Sequence, residues 1–441
     1  MIPADDDRVT TPWHRRWLQL ATVDVTPLRR HRDFWLLFVS RFISFFGSMI
    51  SSVAVPYQVY VLTHSVLLVG LLGVLEFATI LAIAFVGGAL ADAQDRRRMV
   101  LLTEVALMAC SLVLAGNSAV PHPQVWLLFV VSSAWGAFDA LQRPSLDAML
   151  PRLVERHELG AAAALGSLRG TLGMIFGPAL GGVLIAIVGL PVTYLADVAT
   201  FVVGLACLGL MRAVPPPVDA ERPSVRRIIE GLRYARSRQE LLGTYFVDMI
   251  AMFFGMPMAL FPAIAQSFGG PKVLGLLYAA PAIGSFLFSV TSGWTRHVHR
   301  HGMGVIFAAT VWGLAIIGFG FAPTLWLAVV FLALAGGADM LSGVFRSLIW
   351  NQTIPDSLRG RLASIEMISY TSGPALGNFE AGAVASIFNL RVSIVSGGVL
   401  CVIGCLIGAL LLPRFRAYDA REHVPRQIQP PAASSERSSE L

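Results

Sequence analysis

Charged residues are scarce in this chain of 441 residues. They make up 14% of it, whereas hydrophobic residues make up 55%, and the mean hydropathy is +0.68. Because soluble domains carry about 25% charged residues, this composition excludes an ordinary water-soluble domain and indicates that lipid is the main solvent.

Lysine and cysteine are also rare, which argues against an ATP-binding site and against a protein held together by disulfides or metal ions. The single lysine, Lys272, follows Pro271, whereas a phosphate-binding Walker loop needs lysine directly after glycine. The sequence therefore predicts no ATP site. The cysteines all fall within long apolar runs, which predicts packing residues rather than disulfides or metal ligands. They are Cys110, Cys207, Cys401 and Cys405.

Long apolar runs dominate what is present. A membrane-spanning helix needs about 20 mostly apolar residues, and in hydrocarbon each backbone amide must bond within its own element. The sequence thus predicts an all-α polytopic membrane protein of twelve transmembrane helices. The predicted spans are 34–60, 66–91, 98–118, 124–148, 160–188, 190–212, 241–266, 272–294, 303–321, 324–349, 362–388 and 391–412.

The arginines fall on alternate loops, on the side that carries both termini. By the positive-inside rule this predicts that both termini are cytoplasmic. The same bias explains the net charge of +6 without a nucleic-acid partner. The chain has 32 arginines and one lysine, a preference that we attribute to a GC-rich bacterial genome, so a bacterial inner membrane is expected. Residues 1–33 have no apolar core or cleavage site, so no removable signal peptide is expected.

The sequence repeats itself. Gly136 and Asp139 of the fourth span recur as Gly336 and Asp339 of the tenth, and Gly-Pro-Ala-Leu-Gly at 177–181 returns at 373–377. Two parallel halves of six spans are therefore predicted. The predicted domains are an N-terminal cytoplasmic tail at 1–33, a six-helix bundle at 34–212, a linker with an amphipathic helix at 213–240, a second bundle at 241–412 and a disordered cytoplasmic tail at 413–441.

The loop between the second and third spans carries a recognisable pattern. It runs from Gly88 through Asp92 to Arg96, and it resembles the loop signature G-x-L-A-D-R-x-G-R-[RK] of the major facilitator superfamily. It departs from that signature at Ala93 and Asp95. The resemblance implies the major facilitator fold.

Charge pairing is expected at this loop. Arg96 and Arg97 lie at a helix end, where they can pair with an acid of a neighbouring helix, and Asp147 at the end of the fourth span is the candidate. The alternative is a plain positive-inside loop.

The fifth span carries a glycine motif. Gly173, Gly177, Pro178 and Gly181 resemble the antiporter motif of the superfamily, which implies export in exchange for protons. Glycines at four-residue spacing let helices approach closely. The alternative is therefore a packing seam with no bearing on direction, and a degenerate copy at 373–377 favours that alternative.

The first hundred residues resemble one branch of the superfamily, the branch that contains the enterobactin exporter. The residues that carry this resemblance are Arg41-Phe-Ile-Ser, Ala54-Val-Pro56 with Gln58, Thr63-His64-Ser65, and Gly87-Gly88-x-Leu90-Ala-Asp92. The resemblance implies efflux of a bulky, partly apolar molecule.

Ionisable residues within the spans are functional candidates, because a charge at the bilayer centre costs about 2.5–3.5 kcal/mol on insertion scales. Glu76 lies ten residues into the second span, roughly 15 Å deep at about 1.5 Å per residue, and is the first candidate for carrying a coupling proton. Asp139 and Asp339 are the next candidates.

A cytoplasmic gate is also predicted. In the superfamily that the chain resembles, spans 1, 4, 7 and 10 line the cavity, so Arg41, Asp139, Asp248 and Asp339 can form a ring of ion pairs. Arg143, one turn after Asp139, offers an intrahelical pair instead.

The leading hypothesis is a proton-coupled exporter of a small amphipathic molecule, such as a drug or siderophore, working by alternating access. The proton gradient is its energy source, and no cofactor or metal is expected. Its expected partners are the substrate and membrane lipid, and it is expected to function as a monomer. An importer or facilitator of the same fold stays open. A non-transporting receptor would not need acids at midplane depth, and a polytopic enzyme would need a clustered nucleophile, acid pair or metal site, which the sequence lacks.

Overall fold

The computed structural model describes residues 24–93, 95–212 and 233–423, with side chains throughout except at 84–93, 356–357, 359–361, 363–365 and 422–423. The regular structure of these ranges is helical. The helices that carry the predicted spans, in chain order, are Arg32–Thr63, Val66–Ala93, Arg96–Ala119, Val125–Leu153, Leu159–Gly209, Gln239–Phe254 with Phe261–Phe268, Pro271–Thr291, His301–Phe321, Leu325–Thr353, Asp356–Ile387 and Leu390–Leu411.

Among the described residues, ten helices are long and apolar enough to cross a membrane. One of them contains Leu159–Gly209, whose 51 residues are about twice the length needed to cross a hydrocarbon core of about 30 Å. It is broken at Gly189, where φ is 77° and ψ is 173°, a conformation open essentially to glycine alone. Pro191 follows, so the fifth span ends and the sixth begins here, as the sequence predicts.

Helix Asp356–Ile387 contains the predicted eleventh span, although it is not among the ten apolar helices. It carries acids, arginines and serines along its length, which lower its mean hydropathy. With this helix, and with the long helix divided at Gly189, eleven of the twelve predicted spans each correspond to one helix, and the seventh corresponds to the pair Gln239–Phe254 and Phe261–Phe268.

Two compact units make up the described chain. Unit 1 contains the residues up to Val55 and those from Ala82 through the sixth span, and unit 2 contains Pro56–Leu81 and the residues from 233 onward. The first span passes from one unit to the other at Pro56, a proline inside its helix. The predicted boundary between two bundles of six spans stays a prediction.

The stretch Pro56–Leu81 belongs to unit 2 because glycines let the second span touch the eleventh span along the backbone. A Cβ at Gly70 would lie 2.5 Å from the carbonyl oxygen of Asn378, and a Cβ at Gly382 would lie 2.6 Å from that of Val66. Any larger residue would push these two helices apart.

One hydrophobic core cluster of unit 1 lies where four spans meet near arginine-rich loops. Its buried side chains come from the start of the first and third spans and from the end of the fourth and sixth. They are Leu36, Leu37, Val100, Met149, Leu208 and Met211.

The segment after the twelfth span is ordered through residue 423, which corrects the predicted start of the disordered tail at 413. Short helices cover Pro413–Arg416 and Ala420–His423. Phe415 is fully buried, in a space left by two glycines, Gly243 and Gly302. The sequence prediction missed this because a single aromatic residue in a polar stretch gives no periodic signal.

Tyr418 also anchors this segment to unit 2. Burial, together with the charge of Glu240, raises the pKa of Tyr418 to about 12, so its hydroxyl stays protonated and donates a 2.9 Å hydrogen bond to Oε1 of Gln352. Its ring stacks on His301 at 6.2 Å. The segment thus holds the end of the tenth span against the start of the ninth.

Truncating Phe415 tests this anchor. Phe415→Ala is expected to lower the free energy of unfolding by about 3–5 kcal/mol, because it empties a buried aromatic site between two helices. The measurement is the thermal midpoint of the purified protein in detergent. Leu410→Ala is the control, since Leu410 is 72% exposed on the outer surface of the twelfth span. Equal midpoints for the two variants would contradict the anchoring role.

Candidate functional site

The arginines of the loop signature bind carbonyl groups at helix ends. Arg96 donates from Nη1 to the Ala148 carbonyl at 2.9 Å. Arg97 donates to the carbonyls of Leu208 at 2.9 Å and Gly209 at 2.6 Å. Cations at the carbonyl end of a helix also interact favourably with its dipole.

The predicted pairing of this loop with Asp147 stays a prediction. The described partners of Arg97 lie on the sixth span rather than the fourth, whereas Arg96 binds the residue next to Asp147. The charges that act on Asp147 include those of Arg143 and Arg169. The side chains of Gly88 and Asp92 lie outside the described residues.

A buried polar cluster joins three spans of unit 1. Arg41 Nη1 donates to Glu104 Oε1 and to Gln142 Oε1, each at 2.7 Å, and Gln142 Nε2 lies 3.2 Å from Glu104 Oε1. Glu104 is fully buried and the Arg41 side chain is only 13% exposed. Arg41 Nε and Glu104 Oε2 are buried without a hydrogen-bond partner.

The cluster includes Glu104, an acid of the third span that is not among the site residues predicted from the sequence. The acid and the arginine neutralise each other, which is what allows both to be buried. The signal available in the sequence was that both are ionisable residues inside apolar spans, at comparable depth from the arginine-rich side.

Among the described side chains, only hydroxyl groups donate hydrogen bonds to a second buried acid of unit 1. Asp197 Oδ2 accepts from Ser51 at 2.6 Å and from Ser111 at 2.7 Å, and Oδ1 accepts from Thr200 at 3.3 Å. Asp197 is fully buried. Donors from three spans converge on it, which joins the first, third and sixth spans.

The glycine motif of the fifth span packs on the first span. A Cβ at Gly177 would lie 3.3 Å from the carbonyl oxygen of Phe46, and one at Gly181 would lie 3.1 Å from that of Ile50. Gly173 faces the ring of Phe45. Together with Pro178, these glycines form a close helix–helix seam.

The degenerate copy in the eleventh span packs in the same way within unit 2. A Cβ at Gly373 would lie 2.8 Å from Met252 Cβ, and one at Gly377 would lie 2.6 Å from the carbonyl oxygen of Phe253, both on the seventh span. Each copy of the motif therefore supports its own unit, and the seam alone accounts for the glycines.

The seam gives a direct test. Gly377→Ala is expected to destabilise the protein by about 1–3 kcal/mol, since the new methyl group meets backbone that cannot rotate away. Gly170→Ala, at a helical glycine with nothing within 4 Å, is expected to leave stability unchanged or raise it slightly. Thermal midpoints of the two variants give the comparison, and an unchanged midpoint for Gly377→Ala would refute the seam.

Unit 2 contains its own buried ion pair. Asp248 on the seventh span binds Nη1 of Arg346 on the tenth span, with side chains 8% and 14% exposed. Nη2 of Arg346 lies 3.7 Å from Oδ1 of Asp339, two turns earlier on the same helix. One guanidinium thus serves two carboxylates.

Two of the predicted gate residues have partners that the sequence analysis did not name. The predicted ring joined Arg41, Asp139, Asp248 and Asp339, whereas Arg41 binds Glu104 and Asp248 binds Arg346, each within its own unit. The ring itself stays a prediction. Sequence reasoning missed Arg346, although an arginine inside an apolar span was the available signal.

A cavity of about 310 Å³ adjoins the Asp248–Arg346 pair. It lies within unit 2, between the seventh, tenth and eleventh spans. Buried hydroxyl oxygens of Tyr245 and Ser369 have no hydrogen-bond partner. Its lining residues are Tyr245, Asp248, Gly343, Arg346, Ser347, Trp350, Glu366, Ser369 and Tyr370.

The aromatic part of this lining is also held in place by hydrogen bonding. The rings of Tyr245 and Trp350 lie 5.5 Å apart, and Trp350 Nε1 donates to Thr244 Oγ1 at 2.9 Å. Because apolar walls with a few fixed polar groups are typical of small-molecule sites, this cavity is the candidate binding site. Nothing in the sequence brought these aromatic residues together, since they are over a hundred positions apart.

Glu76 lies on the part of the second span that belongs to unit 2, and its side chain is half-buried. A Cβ at Gly73 would lie 3.6 Å from Ala375 Cα, so this face of the helix contacts the eleventh span. Glu76 follows three residues later, on the same face. Glu380 on the eleventh span is half-buried too.

Comparison with known proteins identifies the family. The family model described as transmembrane secretion effector matches residues 22–438. The chain belongs to this family of the major facilitator superfamily. Its family is one of transporters, and the chain is not an enzyme.

Curated relatives cover almost the whole chain. It is 31% identical over 400 residues to the enterobactin exporter EntS of Citrobacter koseri, and the alignment covers 89% of this chain and 96% of the relative. Identity is 31% over 405 residues to EntS of Shigella boydii serotype 4 and 30% over 400 residues to EntS of Salmonella typhi, with the same coverage. The protein is therefore a multi-pass membrane transporter related to exporters of the bacterial inner membrane.

Solved structures confirm the predicted fold. A POT family transporter in complex with a thioalcohol-conjugated peptide matches with a TM-score of 0.69 at 13% identity, covering 87% of this chain and 96% of that one. The nucleoside transporter NupG matches with a TM-score of 0.68 at 12% identity, covering 88% of this chain and 98% of that one. A bacterial homologue of the iron transporter ferroportin, in an inward-facing state, matches with a TM-score of 0.65 at 15% identity, covering 88% of this chain and 99% of that one. At these identities the likeness shows the major facilitator fold alone.

Proposed function

We propose that this protein is a secondary active exporter of a small amphipathic molecule, driven by protons and working by alternating access as a monomer. The observation that carries the proposal is its 31% identity to enterobactin exporters along 96% of their length. The cavity in unit 2, with its charged and aromatic walls, offers a place for such a molecule.

The orientation in this proposal places both termini and the arginine-rich loops in the cytoplasm. Glu76, Asp139 and Asp339 are the candidates for carrying the coupling proton. Arg41, Asp248 and Arg143 are the candidates for the cytoplasmic gate. Because Arg41 and Asp248 already have partners within their own units, gating by these residues requires those pairs to exchange during the cycle.

Transport into everted membrane vesicles tests the proposal. Vesicles that contain the protein are offered a panel of labelled amphipathic molecules that includes enterobactin, with and without an imposed pH gradient. Accumulation above that of vesicles without the protein, and its collapse with a protonophore, is the expected result. Equilibration without accumulation would indicate a facilitator, and accumulation only in right-side-out vesicles would indicate an importer.

A further inference from the structure

The charges around the cavity in unit 2 do not balance. Asp248 and Glu366 line it, and Asp339 binds the same guanidinium as Asp248. Among the described lining residues, Arg346 is the only cation. The charges of Arg346 and Asp248 both act on the carboxylate of Glu366. With all four groups ionised, three carboxylates face one guanidinium.

The cluster of unit 1 is built differently. Arg41 and Glu104 are matched one to one, with Gln142 as a neutral third member. Asp248 is buried against Arg346, whereas Glu366 is half-buried and the side chain of Asp339 is 42% exposed. A cavity whose carboxylates outnumber its cations concentrates positively charged ligands. The cavity of unit 2 therefore attracts positive charge, whereas the one-to-one pair of unit 1 does not.

The remaining walls also suit a cation. Tyr245 and Trp350 form a ring pair 5.5 Å apart, and Tyr370 is 44% exposed beside them. Aromatic faces attract cations through their quadrupoles. The buried hydroxyls of Tyr245 and Ser369, which have no partner, can accept hydrogen bonds from the N–H groups of a bound amine.

We infer that this cavity binds an organic cation, a molecule with an apolar or aromatic body and one positively charged amine, ammonium or guanidinium group. The charged group lies near Glu366 and the body lies against Tyr245 and Trp350. Its volume of about 310 Å³ suits a small ligand, at the lower end of the usual range for binding pockets. Binding of the cation does not depend on the proposed function. That such cations are the transported substrate class rests on the proposed function.

Calorimetric binding to the full chain in lipid nanodiscs tests the site without transport. The probes are protonated benzylamine, which carries N–H donors, and benzylsulfonate; they share a benzyl body and carry opposite charges. The cation is expected to bind more tightly than the anion. Glu366→Gln is expected to weaken cation binding by about tenfold, equivalent to about 1.4 kcal/mol, whereas Glu155→Gln, which alters an acid 62% exposed in unit 1, leaves it unchanged.

A second variant protects the test against misfolding of the first. Tyr370→Leu changes an exposed wall residue and is expected to weaken the cation severalfold. Benzylsulfonate binding as tightly as the cation, or cation affinity unaltered in both variants, would overturn the inference. If the cation binds as expected but vesicles do not transport it, the site stands and the transport proposal fails for this substrate class.

Discussion

Glu76→Gln is expected to reduce uphill export to the level of vesicles without the protein, while downhill exchange of substrate stays measurable. Glutamine keeps the size and hydrogen-bonding capacity of the side chain but cannot take up and release a proton. Glu76 lies roughly midway through the second span, half-buried on the face that contacts the eleventh span. The measurement is accumulation in everted vesicles with and without a pH gradient.

Two comparisons make this result specific. Glu155→Gln removes an acid outside the apolar part of the spans and is expected to pump normally. Glu380→Gln removes another half-buried acid, on the eleventh span, and shows whether any such carboxylate has the same effect. If Glu76→Gln pumps at the wild-type rate under a pH gradient, the coupling site lies elsewhere, and Asp139 and Asp339 are the next residues to replace.

Arg41→Met is expected to destabilise the protein by about 3–5 kcal/mol, because it leaves the fully buried carboxylate of Glu104 without its cation. The amide of Gln142 is a weak substitute, at 3.2 Å from Glu104 Oε1. The double variant Arg41→Met/Glu104→Leu removes both charges and is expected to recover most of the loss, since an apolar pair of similar volume needs no compensation.

Thermal midpoints of the purified variants measure this effect, with Lys272→Met as the control. Lys272 is an exposed cation at the start of the eighth span, so its loss is expected to change the midpoint little. A double variant as unstable as Arg41→Met would show that the guanidinium contributes by packing rather than by pairing with Glu104. Transport by a stable double variant would further show that the pair has no part in the gate.

The class of fold followed from the sequence because lipid imposes a strict rule. A backbone in hydrocarbon must satisfy its own hydrogen bonds, so each long apolar run has to be a helix, and the helices Arg32–Thr63 to Leu390–Leu411 lie where those runs lie. The break between the fifth and sixth spans was also predictable, since Gly189 and Pro191 interrupt a run too long for one crossing.

The glycine positions were predictable in kind and only partly in role. Spacing at Gly173, Gly177 and Gly181 predicted a close approach of helices, and the structure shows that the first span is the neighbour. The sequence left open whether this motif serves export or packing. Its copy at Gly373 and Gly377 packs on the seventh span in the same manner, which accounts for both copies structurally.

By itself, the sequence determined the order and rough limits of the spans and the position of each ionisable residue along its span, because these depend only on distance along the chain. The tertiary structure decided which of those residues meet: Glu104 with Arg41, Asp248 with Arg346, and Phe415 with the glycines of two helices. A membrane span is apolar on nearly every face, so its pattern does not show which side turns inward. Only the packing of helices far apart in the chain settles that orientation, and with it the partner of each buried charge.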